Sequence, residues 1–158
     1  IGDILRQERM SDSPIGSIIN YRLSHGNFVP FQITCELCLN LMDENDPNVV
    51  YLMDSFPVNK DSVDVWNNMM LDKVELLFIV HFKSEPEVCV ERCLGRKRYD
   101  DTEESLKERL KKYNAESLPW IKYYENLGMI KNVNANLECD KVFKEVQSIF
   151  KDKEIIGD

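Results

Sequence analysis

Leu76-Leu77-Phe78-Ile79-Val80-His81-Phe82 is an almost unbroken apolar run. It is short for a helix and lacks the alternation of a half-solvated strand, so it predicts a strand covered on both faces, as in a parallel sheet. Val49-Val50-Tyr51-Leu52-Met53 has the same character. Asp61 to Met70, between the two runs, reads as the crossover helix that a parallel pair requires. Working outward, Met129 to Val133 predicts a third parallel strand. Pro86 opens a helix over Glu85 to Leu94, and Thr102 starts a long helix that bends near Pro119 and runs to Leu127, where Gly128 stops it. Glu138 to Phe150 predicts a final helix with Val142, Val146, Ile149 and Phe150 inward. Upstream the chain is helical. Asp3 can cap a helix to about Arg9, and Ser13-Pro14 opens another that carries Ile15, Ile18, Ile19 and Leu23 and ends at Gly26. Ile33 to Met42 is a third helix, closed by the polar stretch 43–48. This order predicts an α/β fold, a doubly wound parallel sheet with helices on both faces, as a single domain over 1–158 with its ligand site beyond the carboxyl ends of the strands.

The 158 residues are 43% hydrophobic, enough for one core, and 30% charged with both signs mixed, giving a net charge of −8. That balance excludes a general nucleic-acid binder, which needs a broad basic face. The one basic cluster is short, Arg92 to Arg98. No apolar run reaches membrane-spanning length. The first residues enter a helical pattern at once and read as the middle of a domain, with no signal peptide. Five cysteines, an odd number without disulfide-scaffold density, indicate a reducing compartment. The C-x-x-C of Cys35 and Cys38 reads as a core pair, since no second such motif or His pair completes a zinc site. His25 and His81 read as structural.

Three constellations carry chemistry. The strand Val49 to Met53 delivers the carboxylate of Asp54 at its end, a place suited to Mg²⁺, although Asp54 can equally cap the next turn. Arg96, Lys97 and Arg98 lie just before Asp100 and Asp101, with Arg109 on the following helix. Planar, permanently charged guanidinium groups suit a phosphoryl group whose charge is spread over several oxygens, and the two aspartates can orient and partly neutralise them when no nucleotide is bound. The bland alternative is a solvated basic turn. Arg6, in the first helix, can reach an anion.

Taken in order, Gly2-Asp3-Ile4-Leu5-Arg6, Gly26 to Pro30, Asp54-Ser55-Phe56-Pro57 and Arg98 to Asp101 resemble the spaced motifs of the adenylate kinase-like nucleoside monophosphate kinases, a P-loop NTPase-like family. Val29 to Thr34 and Trp66-Asn67 point to its UMP-CMP kinase branch, with adenylate kinase, acting on AMP, as the alternative. The resemblance implies transfer of the γ-phosphoryl group of ATP to UMP or CMP with Mg²⁺, by direct in-line displacement under a closing lid. It implies a helical NMP-binding segment over 3–42 and a short lid over 95–101. Arg6 would hold the monophosphate. Asn27, Phe28, Val29, Ser55, Phe56, Pro57, Val58 and Ser62 would line the substrate site. Asp54 would serve Mg²⁺ through water. Arg96, Arg98 and Arg109 would be catalytic, with Arg96 and the backbone near Leu137 toward ATP. A cytoplasmic, and also nuclear, monomeric enzyme follows.

The sequence departs from that pattern in several places. No Gly-rich loop ending in Gly-Lys-Gly-Thr occurs, so a polypeptide starting at Ile1 is expected to bind ATP poorly, and a fragment of a longer chain is expected. Val58 stands where the family has arginine, Ser62 where UMP-CMP kinases have asparagine, and Ser55 where the family has glycine. The lid is shorter. These changes motivate a rival reading, a catalytically lapsed nucleotide-binding protein.

Overall fold

A computed structural model describes residues 2–25, 29–42, 49–54, 56–98 and 101–155. The chain divides into two compact units, Ile1–Glu75 and Leu76–Asp158.

The first unit is helical: α1 (Gly2–Arg9), α2 (Pro14–Ser24), α3 (Phe31–Leu41) and α4 (Lys60–Met69). Asp3 lies within the first turn of α1 and pairs with Arg6, instead of capping from outside as expected. Ser13 caps α2 as expected: its Oγ accepts the Gly16 N–H at 2.8 Å and Pro14 follows at the first position. The α2 helix closes at His25, and Gly26 lies outside the described residues. Arg9 Nε donates to Asn20 Oδ1 at 2.9 Å, tying α1 to α2. α3 starts two residues earlier than its apolar pattern suggested, because Pro30 bears the fixed dihedral of a helix entry. Ile19, Cys35, Leu37, Cys38, Val63, Trp66 and Met70 form the core.

Gly16 makes a close approach that no side chain tolerates. A Cβ there would lie 2.5 Å from the Glu8 carbonyl oxygen and 2.7 Å from that of Ser11. Gly16→Ala should therefore overpack the α1–α2 turn and cost about 1–3 kcal/mol. A urea midpoint unchanged from wild type would refute this.

Val49 to Met53 corrects the sequence reading. It pairs with no strand among the described residues, and Val49, Val50, Tyr51 and Leu52 are 42%, 45%, 41% and 80% exposed. An apolar run becomes a buried strand only when neighbouring strands pair with its edges, and among the described residues no strand does so here.

In the second unit β1 (Ile79–Lys83) pairs in parallel with β2 (Ile130–Asn134), Ile79 opposite Ile130 and Lys83 opposite Asn134. Leu76 to Phe78 precede the ladder, so β1 is shorter than the apolar run. The crossover comprises α5 (Pro86–Gly95), α6 (Glu103–Lys112), a π turn (Tyr113–Ser117) and α7 (Leu118–Asn126). Thr102 and Ser105 form a reciprocal capping box at the start of α6. One bent helix was expected from Thr102 to Leu127. The structure breaks it into two because Pro119 cannot join the ladder, and the π turn accommodates the mismatch, Leu118 N–H donating to the carbonyl of Tyr113. Gly128 stops α7 at φ +73°. α8 (Cys139–Asp152) packs Phe150 edge-on to Phe78, with centroids 5.3 Å apart. Among the described residues of this unit Leu106, Ile121, Tyr124 and Val133 are buried.

Candidate functional site

In the second unit the arginine cluster is organised around one carboxylate. Arg96 Nε donates to Asp101 Oδ2 at 2.6 Å and its Nη2 to Oδ1 at 3.0 Å, while Arg109 Nη1 donates to Oδ1 at 3.0 Å. Asp101 has no exposed side-chain surface, whereas Arg96 and Arg109 are 41% and 46% exposed. The local sequence explains the geometry. α5 ends at Gly95, Lys97 adopts φ +55°, and this left-handed turn sends the chain back so that Thr102 caps α6. Arg109 then lies two helical turns along α6, facing the same carboxylate. Arg98 is exposed, and its carbonyl accepts the Asp101 N–H at 3.1 Å. Asp100 lies outside the described residues.

The hydrogen bond from Arg96, reinforced by Arg109, lowers the Asp101 pKa from 3.8 to about 2. The sign follows: a depressed carboxylate contributes fully above pH 3.8 and loses its contribution as pH falls through about 2. Carbon-13 NMR of the Asp101 carboxyl should show its midpoint near 2, and a midpoint at the ordinary 3.8 would contradict the paired geometry. At neutral pH the carboxylate is therefore charged and available to both arginines.

Arg92 escaped the sequence reading as a functional side chain. Its guanidinium donates to the carbonyls of Ala135, Asn136 and Leu137, the last two at 3.2 Å. It thereby fixes the turn expected to face adenine. Backbone acceptors carry no sequence signature, so only the position of Arg92 within the basic cluster hinted at it. Beyond the carboxyl halves of β1 and β2 lies an open cleft of about 1110 Å³, lined by His81, Lys83, Ser84, Tyr113, Asn134 and Glu145 among others. A cleft at that edge is where parallel α/β sheets place ligands.

In the first unit Arg6 is 69% exposed and pairs with Asp3, itself 96% exposed, whose pKa Arg6 lowers. Asp54 is exposed where the extended segment ends. Phe56 stacks on Phe31, centroids 5.9 Å apart, and contacts Trp66 at 4.7 Å, seating Pro57 as a buried residue. Val29 is half-buried and Val58 is 38% exposed. Ser62 Oγ accepts the N–H groups of Val58 and Asn59 at 3.0 and 3.1 Å and donates to the Asn59 carbonyl at 2.7 Å. A hydroxyl has one proton and two lone pairs, so Ser62 has no capacity left for a base. It builds the turn before α4. Asn27, Phe28 and Ser55 lie outside the described residues.

Cys35 and Cys38 are buried as expected; burial raises the Cys35 pKa to about 11 and that of Cys38 in the same direction. All five cysteines are free, and no group of three metal-ligating side chains occurs among the described residues. No helix there is long and apolar enough to cross a membrane.

Comparison with known proteins agrees with these motifs. The adenylate kinase family model matches residues 1–129. The chain is 38% identical over 162 residues to UMP-CMP kinase of Homo sapiens, covering 97% of this chain and 82% of the relative. It is 36% identical over 152 residues to UMP-CMP kinase 2 of Caenorhabditis elegans, covering 94% and 80%. UMP-CMP kinase of Danio rerio is 36% identical over 157 residues, covering 94% and 80%. With a phosphate-suited arginine clasp, an exposed Arg6 and these relatives, the chain belongs to the adenylate kinase family of ATP-dependent nucleoside monophosphate kinases.

Proposed function

We propose that this enzyme transfers the γ-phosphoryl group of ATP to UMP or CMP, giving ADP and UDP or CDP. The observation that carries the reading is the Asp101 clasp: two permanently charged guanidinium groups are held together by a carboxylate that phosphate oxygens can replace. The pyrimidine acceptor is supported by relatives that bear the name UMP-CMP kinase.

The roles follow from side-chain chemistry. Arg96, Arg98 and Arg109 act on the transferring group, where donors already in place lower the cost of developing charge. Arg96 and the turn around Leu137, fixed by Arg92, face ATP. Arg6 takes the acceptor's phosphate, exchanging Asp3 for it. Val29, Phe56 and Pro57 line the acceptor site together with Asn27, Phe28 and Ser55. Val58 and Ser62 shape its turn. Residues 3–42 form the NMP-binding segment and 95–101 a short lid of a doubly wound fold. Asp54 fits Mg²⁺ as a single exposed carboxylate, since that ion keeps several waters and takes its other ligands from nucleotide phosphates. When bound, the ion would neutralise charge on those phosphates. The protein works as a monomer in the cytoplasm, with nucleotides as its only partners.

One observation favours a second reading. Val58, exposed and uncharged, stands where the family places an arginine, as a lapsed nucleotide-binding protein would have it. A coupled assay of the full-length protein with UMP, CMP, dCMP and AMP separates the readings. Turnover led by UMP or CMP is expected. Turnover led by AMP would make it an adenylate kinase, and silence with every acceptor would make it a lapsed one.

A further inference from the structure

Four polar side chains from four elements of the second unit form one hydrogen-bonded line. Tyr113 Oη lies 2.8 Å from His81 Nε2, His81 Nδ1 lies 3.2 Å from Asn132 Oδ1, and Asn132 Nδ2 lies 3.1 Å from Glu125 Oε1. Its polarity is set from the carboxylate end. Glu125 only accepts, so Asn132 turns its NH₂ toward it and shows its oxygen to His81. The His81 proton must then sit on Nδ1, which leaves the Nε2 lone pair for the Tyr113 hydroxyl to donate to.

Tyr113 begins the π turn, and its N–H bonds the carbonyl of Arg109, four residues earlier on the same helical face. A π turn interrupts the regular ladder between α6 and the Pro119 end of α7, so helix geometry alone fixes α6 weakly there. The Tyr113 hydroxyl supplies a tie to β1 at that point. We propose that His81 is a positioning residue, which through Tyr113 holds α6 in the register that places Arg109 for phosphoryl transfer. The proposal rests on the role assigned to Arg109 above.

The surroundings suit a neutral imidazole. Burial, the leading cause, lowers the His81 pKa from 6.5; Lys83 of β1 acts in the same direction, while Asn132 and Glu125 oppose it. Cys89 of α5, Glu85 before it and Glu145 of α8 line the same cleft. Above pH 6.5 the line therefore keeps the donor order just described.

The test uses the full-length enzyme and its best acceptor, with kcat and KM for both nucleotides measured for wild type, His81→Leu, His81→Gln, Tyr113→Phe and Arg109→Gln. His81→Leu and Tyr113→Phe should each lower kcat about tenfold with KM nearly unchanged, since a small misplacement of a catalytic group weakens the transition state more than binding. The double variant should be no worse than either single, because both remove one tie. His81→Gln, whose side-chain oxygen accepts from Tyr113, should restore kcat. Nitrogen-15 NMR at neutral pH should show the His81 proton on Nδ1. If His81→Leu does not fold, Tyr113→Phe and His81→Gln carry the comparison. Wild-type kcat in Tyr113→Phe, or a proton on Nε2, overturns the tie while Arg109→Gln still abolishes turnover. Wild-type kcat in Arg109→Gln removes instead the reading on which the tie rests.

Discussion

Arg109→Gln lowers kcat by about three orders of magnitude, roughly 4 kcal/mol of lost transition-state stabilisation, and changes either nucleotide's KM far less. The phosphoryl group carries most of its exposed charge at the moment of transfer, and arginines aimed at it are worth about 10³–10⁵ in kcat in kinases and related enzymes. Glutamine keeps a polar amide with two N–H donors but is shorter and loses the charge and the fork. The variant should fold, because Arg109 is 46% exposed and its loss leaves Asp101 still paired with Arg96. Arg109→Lys should recover little, since a point charge does not reproduce planar bidentate contacts. Steady-state kinetics decide the matter, and a kcat within threefold of wild type would remove Arg109 from the catalytic machinery.

Trp66→Ala has the second large effect. Trp66 is 5% exposed and contacts Phe56, which stacks on Phe31, so one indole anchors both the entry to α3 and the turn before α4. Removing a buried Trp costs about 3–5 kcal/mol, a large share of the 5–15 kcal/mol that typically separates folded from unfolded chains. Circular dichroism should show a greatly lowered urea midpoint, with residual activity at low temperature falling through a raised acceptor KM. Trp66→Phe should recover most of the stability. A Trp66→Ala midpoint equal to wild type would mean that the aromatic cluster is not a core. Helix-capping contacts beside it, such as Asn59 Oδ1 with the Ser62 N–H at 2.9 Å, are worth only about 1 kcal/mol each.

Much of the second unit was legible because its signals are local. The apolar runs marked β1 and β2, Pro86 and Thr102 marked helix starts, and Gly128 marked a stop. The π turn was not, since its cause is a conflict between Pro119 and a helix that continues on both sides. Val49 to Met53 misled because apolar character says that a segment can be buried, while a strand also requires neighbours on its edges. At the site, Asp101 and its arginines were legible as a charge cluster, but which aspartate would hold which arginine depends on the left-handed turn at Lys97. Arg92 and His81 were missed for a shared reason. One bonds three backbone carbonyls and the other joins a line of side chains, Tyr113, Asn132 and Glu125, that lie 32 to 51 residues from it in sequence, so spacing along the chain holds no trace of either.

The most direct measurement follows the phosphoryl group itself. ATP labelled at the γ-phosphate is incubated with Mg²⁺, the full-length protein and either UMP or CMP, and the nucleotides are separated. Label in the β-phosphate of UDP or CDP, lost in Arg109→Gln, is the expected result. Label that stays in ATP with both acceptors, in a protein that binds them, would contradict phosphoryl transfer to pyrimidine monophosphates.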